Sequence, residues 1–375
     1  MIEPNKFIPL SSPDIQLQDI NEVVRVLKTG MLVQGVDVES LENQVASMVG
    51  VRNCVAVSNG TASLHLCLIA LGIGRGDEVI VPAFSYVATA NVVELVGAIP
   101  VFVDIDLSTY NIEVDQIENA ITNKTKAIIP VHEFGLSCDI RKINEIAEKH
   151  DLFVIEDAAC ALGAKNGDQY VGSFGIAGSF SLHPRKAVTA GEGGLITTND
   201  DDLASRLRIL RNHGIQYLDG KMEFVDAGYN YRLTNIQAAL AASQFQRLHE
   251  IIAYKNELAK IYFDEIKNPL VTLPSFVNNT IHTWQTFHLL LNDGVSQAGV
   301  IKMLKENGIG SNYGAQCIPY QKFYQNKYQL DCDNLFPNSL RAFTKGVAIP
   351  MFEKMTKEDI QRVAQTINKI SELLC

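Results

Sequence analysis

The chain opens with two helical patterns and then alternates short apolar runs with amphipathic stretches. Apolar positions at Ile20, Val23, Val24 and Leu27 follow Ser12-Pro13-Asp14 and stop near Gly30, and a second set at Val38, Leu41, Val45 and Met48 stops at Gly50. Each is a helix spacing closed by glycine. Between them, 31–35 reads as a loop. Runs of β-formers at 54–57, 78–81, 101–103, 127–131, 152–155, 178–182 and 195–198 predict about seven strands. Helical patterns fill the gaps at 88–96, 114–121, 140–150 and 201–211, and the stretch after 61 is strongly apolar through Leu64, Leu66, Leu68, Ile69 and Leu71. Continuous apolar strands separated by helices imply an α/β chain whose largely parallel sheet is covered on both faces.

From Asn235 the pattern predicts one long helix to about Phe263, with Ile236, Ala239, Leu240 and Phe245 on one face. Beyond it, strands near 271–273 and 286–291 alternate with helices at 297–306 and 357–374. The expected division is a large domain, 1–245, and a smaller α/β domain, 246–375, with the long helix as bridge. A length of 375 residues, 47% hydrophobic, can bury two such cores.

Composition removes several classes. The net charge is −10 with no long basic run, which argues against a general nucleic-acid partner. No stretch approaches the roughly 20 uninterrupted apolar residues of a membrane span. The start, MIEPNKFIPLSSPDI, has neither the basic lead nor the apolar centre of a signal peptide. Seven scattered cysteines (54, 67, 138, 160, 317, 332 and 375) never form CxxC, a usage that fits a reduced, cytoplasmic protein without structural zinc.

In parallel α/β sheets ligands gather beyond the carboxyl ends of the strands. Residues 58–61, 82–86, Asp157 and Ser181 all fall there. Asp157 closes an apolar strand, and Lys186 follows 29 residues later within Ser-Leu-His-Pro-Arg-Lys. Pyridoxal phosphate needs both groups: an amine to bond covalently, and an anion to keep the ring nitrogen protonated. Alone, the aspartate would be a strand-end cap and the lysine a solvated loop charge. Gly60-Thr61-Ala62 lies between strand and helix, where free N–H groups form either a phosphate seat or an ordinary capped turn.

Other motifs carry less. Gly72-Ile-Gly-Arg-Gly76 follows a helix and precedes a strand, the reverse of a dinucleotide fingerprint, and reads as a helix C-cap and turn. Asp104-Ile-Asp106 could pair on a divalent ion, but the following residues read as a turn, so no metal site is expected. Cys138 and Cys160, with His132 or His183 as base, lack any surrounding thiol-enzyme motif and read as small apolar fillers.

Together the stretches GMLVQG, VSNGTASLHL, DEVIVPAFSYVATANVV, GAIPVFVDID, VHEFG, VIEDAACALGA, SFSLHPRKAVTAGEGGLITTND, LRNHG and GYNYRLTNIQAA resemble the DegT/DnrJ/EryC1/StrS sugar aminotransferases. The resemblance implies fold type I of the pyridoxal-phosphate enzymes, with a mixed, mostly parallel seven-stranded sheet. It implies that Lys186 bonds the cofactor and Asp157 pairs with its ring nitrogen. Gly60, Thr61, Ala62 and Ser181 would cradle the phosphate, joined by Asn230 from a neighbouring subunit, so that the active unit is a homodimer. Tyr86 would stack on the ring. Cys160 departs from the pattern: the family usually places Gln or His there to reach the cofactor's 3-hydroxyl, and a thiol is a poorer donor.

The implied activity is amination of a nucleotide-linked keto-hexose, a UDP-, GDP- or dTDP-4-keto-6-deoxy sugar, with L-glutamate as donor. Met31, Gln34, His183, Tyr313 and Gln316 are the candidate substrate contacts, Tyr313 and Gln316 being equally readable as hinge packing. Alternatives are a 3-keto substrate, a dehydratase of the same family, and a cofactor-binding regulator. The dehydratases replace the lysine with histidine, which Lys186 argues against; the retained lysine, aspartate and phosphate seat weaken the regulator reading.

Overall fold

The computed structural model describes residues 7–370. The first residues of the N-terminal segment, the predicted helical end to Leu374, and Cys375 lie outside the described residues. Two helices, α1 (Leu17–Thr29) and α2 (Val36–Val49), precede the sheet, each ended by a left-handed glycine, Gly30 or Gly50. Seven strands then follow: β1 (Asn53–Val57), β2 (Glu78–Pro82), β3 (Ile99–Val103), β4 (Thr125–Ile128), β5 (Phe153–Asp157), β6 (Ala177–Ser181) and β7 (Gly194–Thr198). They form one sheet in the order β1-β7-β6-β5-β4-β2-β3. Only β7 runs against the others, pairing antiparallel with both β1 and β6. All seven sequence-predicted strands are present, each displaced by at most a few residues.

The helices are α3 (Gly60–Ala70), α4 (Ala88–Leu95), α5 (Val114–Ala120), α6 (Ile140–Lys149), α7 (Asp201–Leu210), α8 (Asn235–Phe245), α9 (Leu248–Glu265) and α10 (Gln297–Glu306). Helices α3 to α8 cover both faces, whereas α10 packs in the C-terminal core through Val300, Met303 and Leu304. Ile155 of β5 packs with Leu64 and Leu68 of α3 and Val92 of α4, whereas Val154 packs with Ile140 and Ile143 of α6. Strand side chains alternate. Asp157 therefore shares the face of Ile155 and looks toward α3 and α4; Glu156 looks the other way.

The single helix predicted over 235–263 is instead two. The break falls at Arg247, whose backbone (φ −99°, ψ 2°) leaves the helix. Its guanidinium forks onto the fully buried carboxylate of Asp19 in α1, at 3.0 and 3.1 Å, and onto the carbonyl of Asp14 at 3.2 Å. A buried carboxylate left unpaired would cost several kcal/mol, so the helix turns where it can deliver the cation.

The C-terminal part carries an antiparallel sheet of β8 (Val271–Thr272), β9 (Phe287–Leu291) and β10 (Gly346–Ile349). The last strand has no counterpart in the sequence reading. Its core joins Leu258, Tyr262, Trp284, Phe287, Leu289 and Val363. The final helix spans Lys357–Ile367, shorter than predicted among the described residues. A two-residue ladder ties this part to the main sheet's edge, with Gln316 opposite Ser85 and Cys317 opposite Phe84. No helix among the described residues is long and apolar enough to cross a membrane.

Candidate active site

The carboxyl edge of the sheet is built around β5. Asp157 is buried, and its carboxylate accepts from the Thr89 hydroxyl at 2.8 Å and from the Ala159 N–H at 3.2 Å. Thr89 sits in the first turn of α4, on the face that Asp157 addresses. Burial pushes the Asp157 carboxyl above its ordinary value, against the hydrogen bonds from Thr89 and Ala159 and the nearby positive charge of Lys186. Among the described residues no cation lies within ion-pair distance of it. A carboxylate prepared in this way, buried without a cation of its own, suits a positively charged ligand atom.

Glu156 does different work on the opposite face. It accepts from the N–H groups of Gly172, Phe174 and Gly175 at 2.7, 2.7 and 2.9 Å, and meets His132 Nε2 at 3.0 Å. The other ring nitrogen of His132 accepts the Cys138 N–H at 3.2 Å. His132 is thus a structural strut, not the base of a thiol pair.

Beyond β6 the chain folds into the loop that carries the lysine. Lys186 Nζ lies 3.1 Å from Cys160 Sγ, which settles where that unusual cysteine stands: directly against the amine. Burial pushes the Cys160 thiol up, while the ammonium beside it works in the other direction. The thiol is therefore held neutral, and offers Lys186 a weak acceptor instead of a competing anion. The turn is held by Lys186 N–H donating to the His183 carbonyl at 2.9 Å. His183 Nδ1 accepts from the Arg185 N–H at 3.3 Å, and burial lowers the ring's proton affinity.

The phosphate-seat candidates adjoin this loop. The Asn59 side chain caps α3 by accepting the Ala62 N–H at 2.8 Å, and Ser63 N–H reaches the Asn59 carbonyl at 3.1 Å. Gly60 and Thr61 N–H, in the first turn, have no intrahelical acceptor and point out along the positive end of the helix. A Cβ on Gly60 would come within 2.9 Å of Ser181 Cβ, so the glycine is what lets the helix start approach the end of β6.

The remaining candidates are more scattered. Tyr86 is 66% exposed and Met31 67% exposed. Asn230 is exposed and bridges to Asn212 through the backbone. Gln34 and Gln316 each hold a buried side-chain oxygen without a hydrogen-bond partner, and Gln316 lies beside Ser85 in the small ladder. Tyr313 packs its ring 5.4 Å from that of Phe343, and its carbonyl faces His288 Nε2 at 3.3 Å. Met31, Gln34, Asn230 and Tyr313 make no hydrogen bond to Lys186, Cys160 or Asp157 among the described residues. The Asp104 and Asp106 carboxylates are engaged elsewhere: Asp104 accepts from Asn338 and Ser339 N–H at 3.0 and 2.8 Å, and Asp106 from Ser108 and Thr109 N–H at 2.6 and 3.1 Å.

Thr89 and Glu133 had no part of their own in the sequence reading, and Asn59 and Ser85 entered it only as members of the stretches 58–61 and 82–86. Glu133 belongs to the tight loop after β4. Val131 bridges to Asp157, and His132 N–H donates to the Asp157 carbonyl at 3.0 Å. Glu133 opens a single 3-10 turn, and its buried carboxyl feels the charges of Asp157 and Lys186. Phe134 and Gly135 follow in left-handed conformations, φ 55° and 98°. A Cβ on Gly135 would overlap the Thr283 hydroxyl, which donates to the Cys160 carbonyl at 2.8 Å. Gly135→Ala is therefore expected to cost about 2–4 kcal/mol through strain and overlap, read as a lowered thermal midpoint; an unchanged midpoint would remove this loop from its structural role.

The model of the DegT/DnrJ/EryC1/StrS aminotransferase family matches residues 13–368. MJ1066 of Methanocaldococcus jannaschii, itself uncharacterised, is 36% identical over 378 residues, with 97% of both chains covered. Spr1654 of Streptococcus pneumoniae, described as a sugar aminotransferase and solved in its PMP form, superposes with a TM-score of 0.93 at 28% identity over 98% of both chains. PseC of Helicobacter pylori, an aminotransferase involved in the biosynthesis of pseudoaminic acid, does so with a TM-score of 0.93 at 26% identity, covering 98% of this chain and all of PseC. Aminotransferases of this family use pyridoxal phosphate, and Spr1654 is also known in that form. The residues present fit such a group: a buried carboxylate without a cation, an amine at the same edge, and a helix start whose N–H groups are open beside Ser181. The chain belongs to the DegT/DnrJ/EryC1/StrS family and is a pyridoxal-phosphate-dependent aminotransferase.

Proposed function

We propose that the protein moves the amino group of L-glutamate onto a nucleotide-linked keto-hexose, a UDP-, GDP- or dTDP-4-keto-6-deoxy sugar, to give the amino sugar. The observation that carries the site assignment is the combination of Lys186, beside the Cys160 sulfur at 3.1 Å, with Asp157 at the same edge of the sheet. When bound, the cofactor supplies a covalent hold on the amine and a sink for the electrons released as a C–H bond breaks.

Each residue of the site then has a task. Lys186 Nζ anchors the cofactor and, once displaced, takes and returns the proton that moves during transfer. Asp157 holds a positive charge at the ring nitrogen, oriented by the Thr89 hydroxyl. Gly60, Thr61, Ala62 and Ser181 hold the phosphate, and Asn230 of a second copy completes that seat, which makes the working unit a homodimer. Tyr86 covers the ring. The substrate lies against Met31, Gln34 and His183, with Tyr313 and Gln316 reaching in from the 246–375 domain over the 1–245 cofactor domain. A cytoplasmic setting agrees with the six free cysteines among the described residues.

The sugar half is supported by the resemblance to Spr1654 and PseC. Incubating the cofactor-loaded protein with L-glutamate and a panel of 4-keto and 3-keto UDP, GDP and dTDP sugars tests it. Mass spectrometry should find one 4-keto sugar aminated, with 2-oxoglutarate formed in equal amount. Amination of a 3-keto sugar alone would overturn the positional assignment, and turnover restricted to free keto acids would overturn the nucleotide-sugar reading.

A further inference from the structure

Cys160 and Lys186 stand close enough to react with each other. Lys186 Nζ is 3.1 Å from Cys160 Sγ, and the amine is the sulfur's one hydrogen-bond partner among the described residues. Cys160 is partly exposed, whereas the other five described cysteines are buried. Lys186 is partly exposed as well. A small reagent that reaches the sulfur therefore meets the amine beside it.

The pair is held from outside. The Thr283 hydroxyl donates to the Cys160 carbonyl at 2.8 Å, and Gln285 Nε2 donates to the carbonyl of Arg185, next to Lys186, at 3.4 Å. One short segment, 283–285, thus ties both loops. It is itself anchored, with Thr283 N–H donating to the Gly135 carbonyl at 3.1 Å and Gln285 N–H to the Phe134 carbonyl at 3.0 Å. On the sheet side, Lys186 N–H donates to the His183 carbonyl at 2.9 Å, and Ala158 N–H, two residues before Cys160, to the Ser179 carbonyl at 2.8 Å. Groups fixed in this way react as one unit, without a search for each other.

Their chemistry is complementary. A thiol oxidised once becomes a sulfenic acid, whose sulfur condenses with a neighbouring thiol or nitrogen. No second thiol is hydrogen-bonded to Cys160 among the described residues; the amine is. Burial pushes the Cys160 thiol up, helped by the charges of Glu133 and Asp157 and opposed by Lys186. A neutral thiol is inert toward oxidants, so its proton must leave first. The amine at 3.1 Å is placed to receive it.

We propose that Cys160 and Lys186 form a modification site: a peroxide oxidises the sulfur, and the Lys186 nitrogen captures it in a direct S–N bond that a thiol reductant reverses. With hydrogen peroxide the steps balance. Unprotonated Nζ takes the thiol proton, the sulfur attacks one peroxide oxygen, and the O–O bond breaks. The departing oxygen receives the proton from Nζ and leaves as water. The amine then attacks the sulfur; the S–N bond forms, the S–O bond breaks, and the hydroxyl leaves with an amine hydrogen as a second water. Sulfur gives two electrons to the peroxide. In reversal two thiols return them, restoring Cys160 and the amine and ending as a disulfide. A bridged Nζ cannot bond the cofactor, and a cofactor-bound Nζ cannot bridge; this exclusion rests on the reading that Lys186 anchors pyridoxal phosphate.

The test treats the full-length chain with hydrogen peroxide, cofactor-free and loaded with pyridoxal phosphate, and maps the digested peptides by mass spectrometry. The cofactor-free protein should yield the Cys160 and Lys186 peptides joined, lighter than their sum by two hydrogen atoms, and dithiothreitol should release them. Its uptake of pyridoxal phosphate, read as visible absorbance, should be lost on oxidation and regained on reduction. The loaded protein should be protected. Cys160→Ser and Lys186→Ala should each give no joined peptides, the serine variant serving alone should the other fail to fold. A cofactor-free protein whose Cys160 stays a thiol, or carries only sulfenic or sulfinic oxygen, overturns the proposal, as does a bridge that persists in Cys160→Ser. Equal bridging with and without cofactor would keep the S–N bond but overturn the exclusion, and with it the assignment of Lys186 to the cofactor.

Discussion

Lys186→Ala should lose turnover by at least about a thousandfold while folding normally. General acid–base catalysis alone contributes roughly 10²–10⁴-fold, and the variant also loses the covalent anchor. The loop does not depend on the side chain: its turn is set by the Lys186 N–H donating to His183 O, which alanine retains. The one hydrogen bond given up is to Cys160 Sγ, a weak acceptor. Lys186 is partly exposed, so the stability change should stay within about 1 kcal/mol. Steady-state amination together with thermal melting checks both halves. Ordinary turnover in the variant would take the lysine out of its role; a collapsed fold would mean that the loop leans on it.

Asp157→Asn should be the second most damaging change, and its signature differs. On the proposed reading, the variant keeps shape but loses the charge that balances a protonated ring nitrogen. Removing one such electrostatic partner costs roughly 10²–10³-fold in turnover. In the cofactor-free protein, however, Asp157 is a buried carboxylate without a cation, supported only by Thr89 and Ala159. Neutralising it there should leave the melting temperature equal or higher. The stabilisation gained on adding pyridoxal phosphate should shrink, because binding stabilises only in proportion to affinity. Melting curves of both proteins with and without cofactor decide the matter: a cofactor-free variant that melts well below the native chain would show that Asp157 is a structural carboxylate like its neighbour Glu156.

That contrast between adjacent residues marks where sequence reasoning reached and where it stopped. The strands were legible because each is buried on both faces and so is written as an unbroken apolar run, as in NCVAV and EVIVP. Asp157 and Lys186 were ordinary one by one, a strand-end cap and a loop charge, and became legible only as a pair set among the motifs of the family resemblance. The break between α8 and α9 was not. Its cause is an ion pair between Arg247 and Asp19, 228 residues apart, and nothing local at 245–248 signals it. Strand β10 went unread because it is only four residues, GVAI, too short for a period to show.

Thr89, Ser85 and Glu133 belong to the same class of omission. Each is a common residue in an ordinary local setting, and the link from Ser85 through Thr89 to Asp157 exists only in the folded chain. Val131, just past β4, bridges to Asp157, and Ser85, in the small ladder, lies 3.2 Å from the Thr89 hydroxyl at the start of α4. Cys160, the departure from the family pattern, becomes more definite in the structure. It does not stand apart from the chemistry; it rests against the lysine amine.

The most direct test of the central claim is the absorption spectrum of the purified protein, loaded with pyridoxal phosphate and then given L-glutamate. The account predicts a yellow protein whose visible band gives way to that of the pyridoxamine form on adding the donor, with Lys186→Ala failing to make the change at a comparable rate. A colourless native protein that binds no added pyridoxal phosphate would contradict it.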